Sequence, residues 1–283
     1  MKRVKIIFLF SLIAFFAAGS SVFAAAMPAA RILIVPGHDS EYPGASFRGV
    51  KEEDMNVKLG NFLYKLLKED KRFLVFITRD DWFGYTKEFS GYFKNNEEKI
   101  KKFISNSKTV FQDQIENGDI IAHEGVNHNS VSDEMAIKLY GINLWADENK
   151  MDAVIHVHFN DYSRRFKSER GVYKGFAVYS PEQHLKNNQK SFELAGFIFS
   201  SLLKRYPKSN YEKESSGIVP DQKLIALGSH NTLGTRSLLI EYGYIYEKRF
   251  STFAKREAEM KVMARATRDG LREYFDYLSK HPL

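Results

Sequence analysis

Residues 31–38 read Arg-Ile-Leu-Ile-Val-Pro-Gly-His, and this stretch predicts the first strand of an α/β unit. The run at 31–35 has the composition of a buried strand, and the Pro-Gly pair ends it. A loop follows. From 52 to 70, apolar residues then recur at helical spacing behind an acidic first turn. The stretch therefore predicts a strand, a loop and a helix in series.

The same alternation of strands and helices continues along the chain. Further strand-like runs lie at 73–78, 153–158, 175–179 and 235–240, and further helical patterns lie at 132–148, 191–205 and 251–278. Strands that alternate with helices form parallel sheets whose two faces are covered. We therefore predict an α/β fold, with a mainly parallel twisted sheet of about five or six strands and helices on both faces.

An insertion at about 82–131 interrupts this alternation. It holds a charged helical stretch at 95–103, then polar loops, and several aromatic residues. A connection of this length in a compact domain is usually functional or mobile. Two interpretations remain open, a cap beside the cleft and a surface excursion with its own small apolar cluster. His123, Glu124 and His128 could also approach a metal.

The N-terminus has the pattern of a secretory signal peptide over residues 1–26. Three basic residues precede an apolar stretch at 6–18, and small-residue cleavage sites follow. A retained membrane anchor is the alternative. We expect residues 27–283 to form one catalytic domain without a membrane span. We expect it to be exported to the periplasm, the cell envelope or the extracellular space.

Composition excludes several classes of protein. The chain has no cysteine, which rules out a disulfide framework. Its formal net charge is +7, which favours attraction to anionic envelope polymers or lipid headgroups. The charges are dispersed and no nucleic-acid motif is present, so we predict no binding to DNA or RNA.

Four side chains are spaced as a catalytic zinc site needs them: His38, Glu52, His158 and Glu241. Two histidines and a glutamate can hold zinc and leave one position for water, and a further glutamate can act as base. Three of the four lie at the ends of apolar runs, and Glu52 opens a helix. In open α/β sheets, sites gather beyond the carboxyl ends of the strands.

Each residue taken alone has a simpler interpretation. His38 could be an ordinary loop histidine. Glu52 could cap the first turn of the helix or interact favourably with the helix dipole. Strand alternation places His156 and His158 on one face, so both could bind metal; His158 is nearer the strand end, which makes His156 a buried neighbour. A carboxylate at Glu241 is costly to bury and is expected to line a cleft.

Five motifs in order resemble the zinc-dependent N-acetylmuramoyl-L-alanine amidases of bacterial cell-wall turnover. They are Val-Pro-Gly-His, Lys-Glu-Glu-Asp-Met-Asn-Val, Ile-Thr-Arg-Asp, Val-His-Phe-Asn and Leu-Ile-Glu-Tyr-Gly. The resemblance implies cleavage of the amide between N-acetylmuramic acid and L-alanine in peptidoglycan. It also implies Zn²⁺ as cofactor, with His38, Glu52 and His158 as ligands and Glu241 as the catalytic glutamate. An activator protein is a candidate partner.

The chain also departs from the family pattern. Lys138 and Ile142 stand where the family usually has Arg and Ala, and His156 stands at the Ser of the usual Ser-Ile-His-Ala-Asn strand. The run at 161–174 is too short for the autoinhibitory helix of some division amidases.

Two other classes stay open at this point. One is a different zinc amidohydrolase or a carboxypeptidase, for which Arg236 is a weak candidate as carboxylate clamp. The other is an inactive envelope-binding relative, which the intact set of four site residues disfavours. Asn160 and Arg79 are candidate polar supports of the site, with a structural role as the simpler interpretation.

Overall fold

The structure, a computed structural model, describes residues 28–80, 84–121, 131–162, 164 and 166–281. The expected signal peptide and the His123, Glu124 and His128 group lie outside these residues. In the described part of the chain, no helix is both long enough and apolar enough to span a bilayer.

A six-stranded sheet forms the centre of the fold, in the order β4-β1-β5-β8-β6-β7. The strands are β1 (Ala30–Pro36), β2 (Ser46–Phe47), β3 (Val50–Lys51), β4 (Phe73–Ile77), β5 (Ala153–Asn160), β6 (Ala177–Pro181), β7 (Ile218–Asp221) and β8 (Arg236–Tyr244). All neighbours in the sheet are parallel except β6 and β8, which are antiparallel. The short strands β2 and β3 form a separate hairpin just before the first helix.

Within the described residues, six α-helices cover the two faces of the sheet, which confirms the predicted α/β class. They are α1 (Glu52–Lys68), α2 (Lys87–Asn95), α3 (Glu97–Glu116), α4 (Asp133–Glu148), α5 (Asn188–Leu203) and α6 (Phe253–Lys280). Helices α1, α5 and α6 pack on one face, and α2, α3 and α4 pack on the other.

Alternation along the strands divides the apolar side chains between two cores. In β1, Ile32 and Ile34 belong to the core beneath α1, α5 and α6, whereas Leu33 and Val35 face α2, α3 and α4. Successive side chains of a strand point to opposite faces, so a continuous apolar run supplies both cores. This is why the central strands have no polar alternation in the sequence.

The structure corrects the sequence-based description of the 82–131 insertion. Helix α2 was not predicted, and α3 continues to Glu116 through the part expected to be polar loops. The insertion is not a surface excursion with its own cluster, because Phe89, Phe93 and Ile100 pack with Trp145 in the core of the second face. Strand β7 and the antiparallel direction of β6 were also not predicted.

Candidate metal centre and active site

Three predicted ligands meet at the carboxyl edge of the sheet. His38 follows β1, Glu52 is the first residue of α1, and His158 lies near the end of β5. Glu52 Oε1 lies 3.2 Å from His38 Nε2 and 3.1 Å from His158 Nδ1. One ligand atom from each residue lies within 4.8 Å of the other two. Residues more than a hundred positions apart therefore form one compact donor set.

The backbone around His38 fixes which ring nitrogen is free. His38 Nδ1 lies 3.1 Å from the carbonyl oxygen of Tyr42. A carbonyl only accepts, so Nδ1 carries the proton and Nε2 presents its lone pair to Glu52 and the centre of the cluster. Orientation of this kind by a backbone carbonyl is common among metal-binding histidines.

Arg79 supports the unusual backbone of His38, whose φ is 61°. The guanidinium is fully buried and donates to the carbonyls of Gly37 and His38, and it lies 3.6 Å from Glu53. Left-handed backbone is costly for a residue other than glycine and persists when neighbours hold it. The polar support predicted for Arg79 is therefore structural, because it acts on the backbone that carries a ligand.

The carboxylate of Glu52 is 4% exposed and is held by backbone donors. Ala45 N–H donates to Oε2 at 2.9 Å, and Phe159 N–H donates to Oε1 at 3.2 Å. Burial would raise the pKa of Glu52, but hydrogen bonds with His158 and His38 outweigh it and hold the pKa well below its usual range. Glu52 is therefore ionised, as a metal-ligating carboxylate must be.

The two histidines differ in their electrostatics. Burial lowers the pKa of both, and in His38 the hydrogen bond with Glu52 outweighs burial and raises the pKa above 6.5. In His158 burial and the neighbouring His38 charge prevail, so its pKa is lowered. With the same carboxylate neighbour, the balance therefore falls in opposite directions at the two histidines, because His158 is the more deeply buried of the two.

Glycines at two positions make room for the cluster. A Cβ on Gly37 would lie 2.1 Å from the His158 ring. A Cβ on Gly44, whose φ is +71°, would lie 2.5 Å from Glu52 Oε2 and 2.6 Å from the His38 ring. Only glycine permits this approach. The donor types, their spacing and this clearance fit a zinc ion held by two histidines and one carboxylate.

Glu241 lies beside the cluster on the next strand. It pairs with His158 in the parallel ladder of β5 and β8, and with Ala177 of β6 on its other side. Its Oε2 is buried and has no hydrogen-bond partner among the described residues. Burial, followed by the charges of Glu52 and Glu214, raises the pKa of Glu241 well above 4.5. A buried carboxyl group with a raised pKa beside a candidate metal site suits a catalytic base.

Glu214 is a buried acid that sequence reasoning missed. It is 1% exposed and lies in a short 3-10 turn between α5 and β7. It accepts hydrogen bonds from Asn160 Nδ2 at 2.6 Å, from the Tyr179 hydroxyl at 2.7 Å and from the Tyr244 hydroxyl at 2.8 Å. These donors lie on β5, β6 and β8, so Glu214 ties together three strands at the active edge. No motif marked it, because its partners are 30 to 54 positions away.

Lys138 on α4, which stands where the resembled family usually has Arg, forms ion pairs with the loop after His38. Its Nζ lies 3.0 Å from Asp39 Oδ2 and 2.6 Å from Glu41 Oε2. These two ion pairs connect the loop that follows His38 to helix α4. Asn143, one turn further, is buried and donates to the carbonyl of Ile225 and to Thr232.

An apolar cleft of about 280 Å³ adjoins the candidate metal site. His38, His156 and His158 line it on the sheet side, and the remaining walls are mainly apolar. The wall residues include Tyr42, Tyr85, Val131, Met135, Leu139, Ile142, Leu224, Ile225, Ala226 and Leu239. Tyr85 and Val131 come from the two ends of the insertion, so the insertion borders the cleft.

Arg236, the candidate carboxylate clamp of a carboxypeptidase, is not in this cleft. It opens β8, at the end of the strand opposite to Glu241, and donates to the Tyr274 hydroxyl at 2.6 Å. Arg236 therefore cannot bind a substrate carboxylate in this cleft, and the carboxypeptidase alternative has no support from it.

A sequence profile described as N-acetylmuramoyl-L-alanine amidase matches residues 32–273. The chain belongs to this amidase family. The amidase hydrolyses the amide bond between N-acetylmuramic acid and L-alanine in peptidoglycan. No curated protein is similar enough to this chain to count as a match.

Solved structures of cell-wall amidases share the fold. The CwlD amidase of Clostridioides difficile, solved in complex with the GerS lipoprotein, has a TM-score of 0.58 at 17% identity over 88% of this chain and 99% of its own. An N-acetylmuramoyl-L-alanine amidase of Clostridium difficile 630 has a TM-score of 0.56 at 16% identity, covering 88% and 98%. Apo Ami1 of Mycobacterium abscessus has a TM-score of 0.55 at 13% identity, covering 87% and 98%.

Proposed function

We propose that the amidase works as a zinc enzyme in which His38, Glu52 and His158 hold the ion and Glu241 is the general base. The observation that carries the proposal is the position of Glu241, which is paired with His158 beside the only three-residue donor cluster in the described part of the chain. Ligands and base thus share one edge of the sheet, as hydrolysis by a metal-assisted water requires.

A zinc ion held there would polarise the scissile carbonyl, acidify an attacking water and favour the ionised form of Glu241. Glu241 accepts the proton of the water at its free Oε2 and then delivers a proton to the departing alanine nitrogen. The buried surroundings keep competing water away from this carboxylate. Glu214 and its three donors hold β5, β6 and β8 in place, so the distance between base and ligand is fixed.

The proposal includes export and a partner. Members of this family act on the cell wall, and the pattern at residues 1–26 supports removal of a signal peptide and a catalytic domain at 27–283 carrying the 82–131 insertion. The relative CwlD was solved in complex with the GerS lipoprotein. That complex supports an activator protein as a partner here.

Digestion of purified peptidoglycan tests the reaction. The expected products are intact glycan strands and free stem peptides with an L-alanine amino terminus, identified by mass spectrometry. Glu241→Gln is the matched control and should release neither. New reducing sugar ends, or peptides cut only within the stem, would contradict the amidase assignment.

A further inference from the structure

Lys138 joins three carboxylates beside the candidate metal site. Its Nζ lies 3.0 Å from Asp39 Oδ2, 2.6 Å from Glu41 Oε2 and 3.2 Å from Glu134 Oε1. The side chains of Lys138 and Asp39 are only 14% and 7% exposed, so solvent screens this ion pair less than an ordinary surface pair. Glu134 lies on α4 itself, whereas Asp39 and Glu41 belong to the loop that follows His38. The ammonium group therefore attaches this loop to the helix.

The carboxylate of Asp39 connects the ion pair to the backbone of the loop. Its Oδ2 accepts from Lys138, and its Oδ1 accepts from the backbone N–H of Glu41 at 3.1 Å and of Tyr42 at 2.9 Å. The N–H of Asp39 donates to the carbonyl of Tyr42 at 3.2 Å. Aspartate side chains that accept from N–H groups just ahead in the chain stabilise tight turns. Residues 39–42 therefore form one closed turn, and the ion pair attaches that turn to α4.

The carbonyl of Tyr42 contacts the proposed ligand His38. It accepts the proton of His38 Nδ1 at 3.1 Å, which leaves Nε2 facing Glu52. Glu52 lies in α1 and His158 lies in β5, so regular secondary structure holds the other two proposed ligands. His38 lies beyond the end of β1, and its side chain is the most exposed of the three at 31%. The orientation of His38 therefore depends most on the turn at 39–42.

A second contact joins the same turn to α4. The Tyr42 hydroxyl lies 3.0 Å from Oγ of Ser132, the N-cap residue of that helix. This contact is exposed and involves only neutral groups, so it supplies no counter-charge to Asp39 and Glu41. Without Lys138, these two carboxylates would repel each other across the turn. The ion pair is therefore the contact that decides whether the turn stays closed.

We propose that Lys138 is a positioning residue for the metal site. By neutralising Asp39 and anchoring it to α4, it keeps the Tyr42 carbonyl against His38 Nδ1, so that Nε2 stays aimed at the centre of the donor set. The inference rests on the proposed function, because it takes His38 as a zinc ligand. Loss of the groups that orient a ligating histidine typically lowers metal affinity by about 10- to 100-fold.

Zinc affinity of the folded protein tests the inference, measured by competition with a chromogenic chelator at neutral pH. Lys138→Met removes the charge but keeps most of the side-chain volume, and it should weaken zinc binding by about tenfold or more. Lys138→Arg keeps a positive charge and should recover most of the affinity. Lys99→Met is the matched control, because it breaks an ion pair with Glu148 at the other end of α4. The control should bind zinc as tightly as the wild type.

Two carboxylate variants test the path from Lys138 to the metal site. Asp39→Asn and Glu134→Gln each neutralise one partner of Lys138, but only Asp39 belongs to the turn that contacts His38. Asp39→Asn should therefore weaken zinc binding, and Glu134→Gln should not. Adding Lys138→Met to Asp39→Asn should cause little further loss, because both substitutions break the same contact. Fully additive losses would contradict the path through Asp39.

Thermal unfolding of the metal-free variants separates positioning from stability alone. If Lys138→Met lowers the midpoint of unfolding but leaves zinc affinity unchanged, Lys138 is only a structural ion pair and the inference is wrong. Weaker zinc binding in Lys99→Met as well would also overturn it, because the effect would then follow from the loss of any ion pair on α4.

Amide hydrogen exchange distinguishes this inference from the zinc mechanism, because it needs no metal. In Lys138→Met, the N–H groups of Glu41 and Tyr42 should exchange at least about tenfold faster than in the wild type, and in Lys99→Met they should not change. If the wild type binds no zinc but this difference is present, the proposed function fails and the role of Lys138 in holding the turn stands. If the wild type binds zinc and Lys138→Met changes neither zinc affinity nor exchange, the inference fails alone.

Discussion

His158 in β5 and Glu241 in β8 are paired in the ladder of two neighbouring parallel strands. Side chains of paired residues leave the same face of a sheet, so this pairing puts a proposed metal ligand directly beside the proposed catalytic carboxylate. Two segments more than eighty positions apart in sequence thus meet at the proposed reacting centre.

The purified enzyme should contain about one zinc ion per chain, because the described part of the chain holds one compact set of three candidate ligands. His158→Ala should abolish stoichiometric zinc, measured by inductively coupled plasma mass spectrometry. His156→Ala, two residues away on the same strand face, is the matched control and should keep the metal. Activity that a strong chelator leaves unchanged would contradict the zinc mechanism. If His156→Ala loses zinc and His158→Ala keeps it, His156 and not His158 is the ligand.

Glu241→Gln should lower kcat by at least about a hundredfold, because the amide keeps the shape of the carboxyl group but accepts no proton. Zinc should remain bound at the wild-type level. Turnover of soluble muropeptides and metal content should be measured on the same preparation. If the variant loses zinc, Glu241 is a ligand and another residue serves as base.

The same substitution should stabilise the metal-free protein at neutral pH. Below its ordinary pKa of 4.5, Glu241 is protonated in both the folded and the unfolded chain and contributes no difference. Above that pH the unfolded chain ionises, whereas burial keeps the folded carboxyl protonated, so folding becomes less favourable until pH reaches the raised folded pKa. The midpoint of thermal unfolding should therefore be higher in Glu241→Gln than in the wild type at pH 7, and equal near pH 4. A difference that does not change with pH would contradict the raised pKa.

Glu214→Leu should reduce the free energy of unfolding by about 3 kcal/mol, because one buried and two partly buried donors would lose their acceptor. Glu214→Gln should cost less, since its carbonyl oxygen still accepts. Glu212→Leu is the control, being an exposed glutamate of the same 3-10 turn. Urea unfolding of the three variants gives the free energies to compare. A similar loss of stability in Glu212→Leu and Glu214→Leu would contradict the stabilising role of the three hydrogen bonds to Glu214.

Phe89→Ala should destabilise the amidase by about 3–5 kcal/mol, because Phe89 is fully buried against Trp145 in the core of the second face. Phe192→Ala, at a phenylalanine that is 48% exposed, should cost far less. Denaturant unfolding measures both. A negligible cost for Phe89→Ala would show that the insertion adds nothing to the stability of the fold.

Local patterns in the sequence predicted most of the fold. Buried strands such as β1 and β5 are apolar runs, and α1 and α6 show helical spacing, so neighbouring residues carry enough information to place them. The alternation of β5 also placed His156 and His158 on one face, with His158 nearer the edge, as the structure has them. The antiparallel direction of β6 could not be read, because strand direction depends on the path of the chain between strands.

The insertion shows where local patterns fail. Residues 104–116 are polar enough to resemble loops, yet they continue α3, because Phe111 is buried and one apolar contact side is enough for a helix. The sequence left open whether the segment was a cap or an excursion. The structure makes it part of the core and a border of the cleft, because Phe89 and Ile100 pack inward while Tyr85 lines the cavity.

The sequence by itself determined the α/β class and the candidate set His38, Glu52, His158 and Glu241. Strand ends and short motifs are patterns of consecutive residues, so they can be recognised without the tertiary structure. Only the tertiary structure joined Glu214 to the ends of three strands and buried Nε2 of His156 without a hydrogen-bond partner among the described residues. Both features arise from contacts between residues far apart in the chain. The free energy of such a contact depends on which groups share a buried space, and no local pattern specifies that.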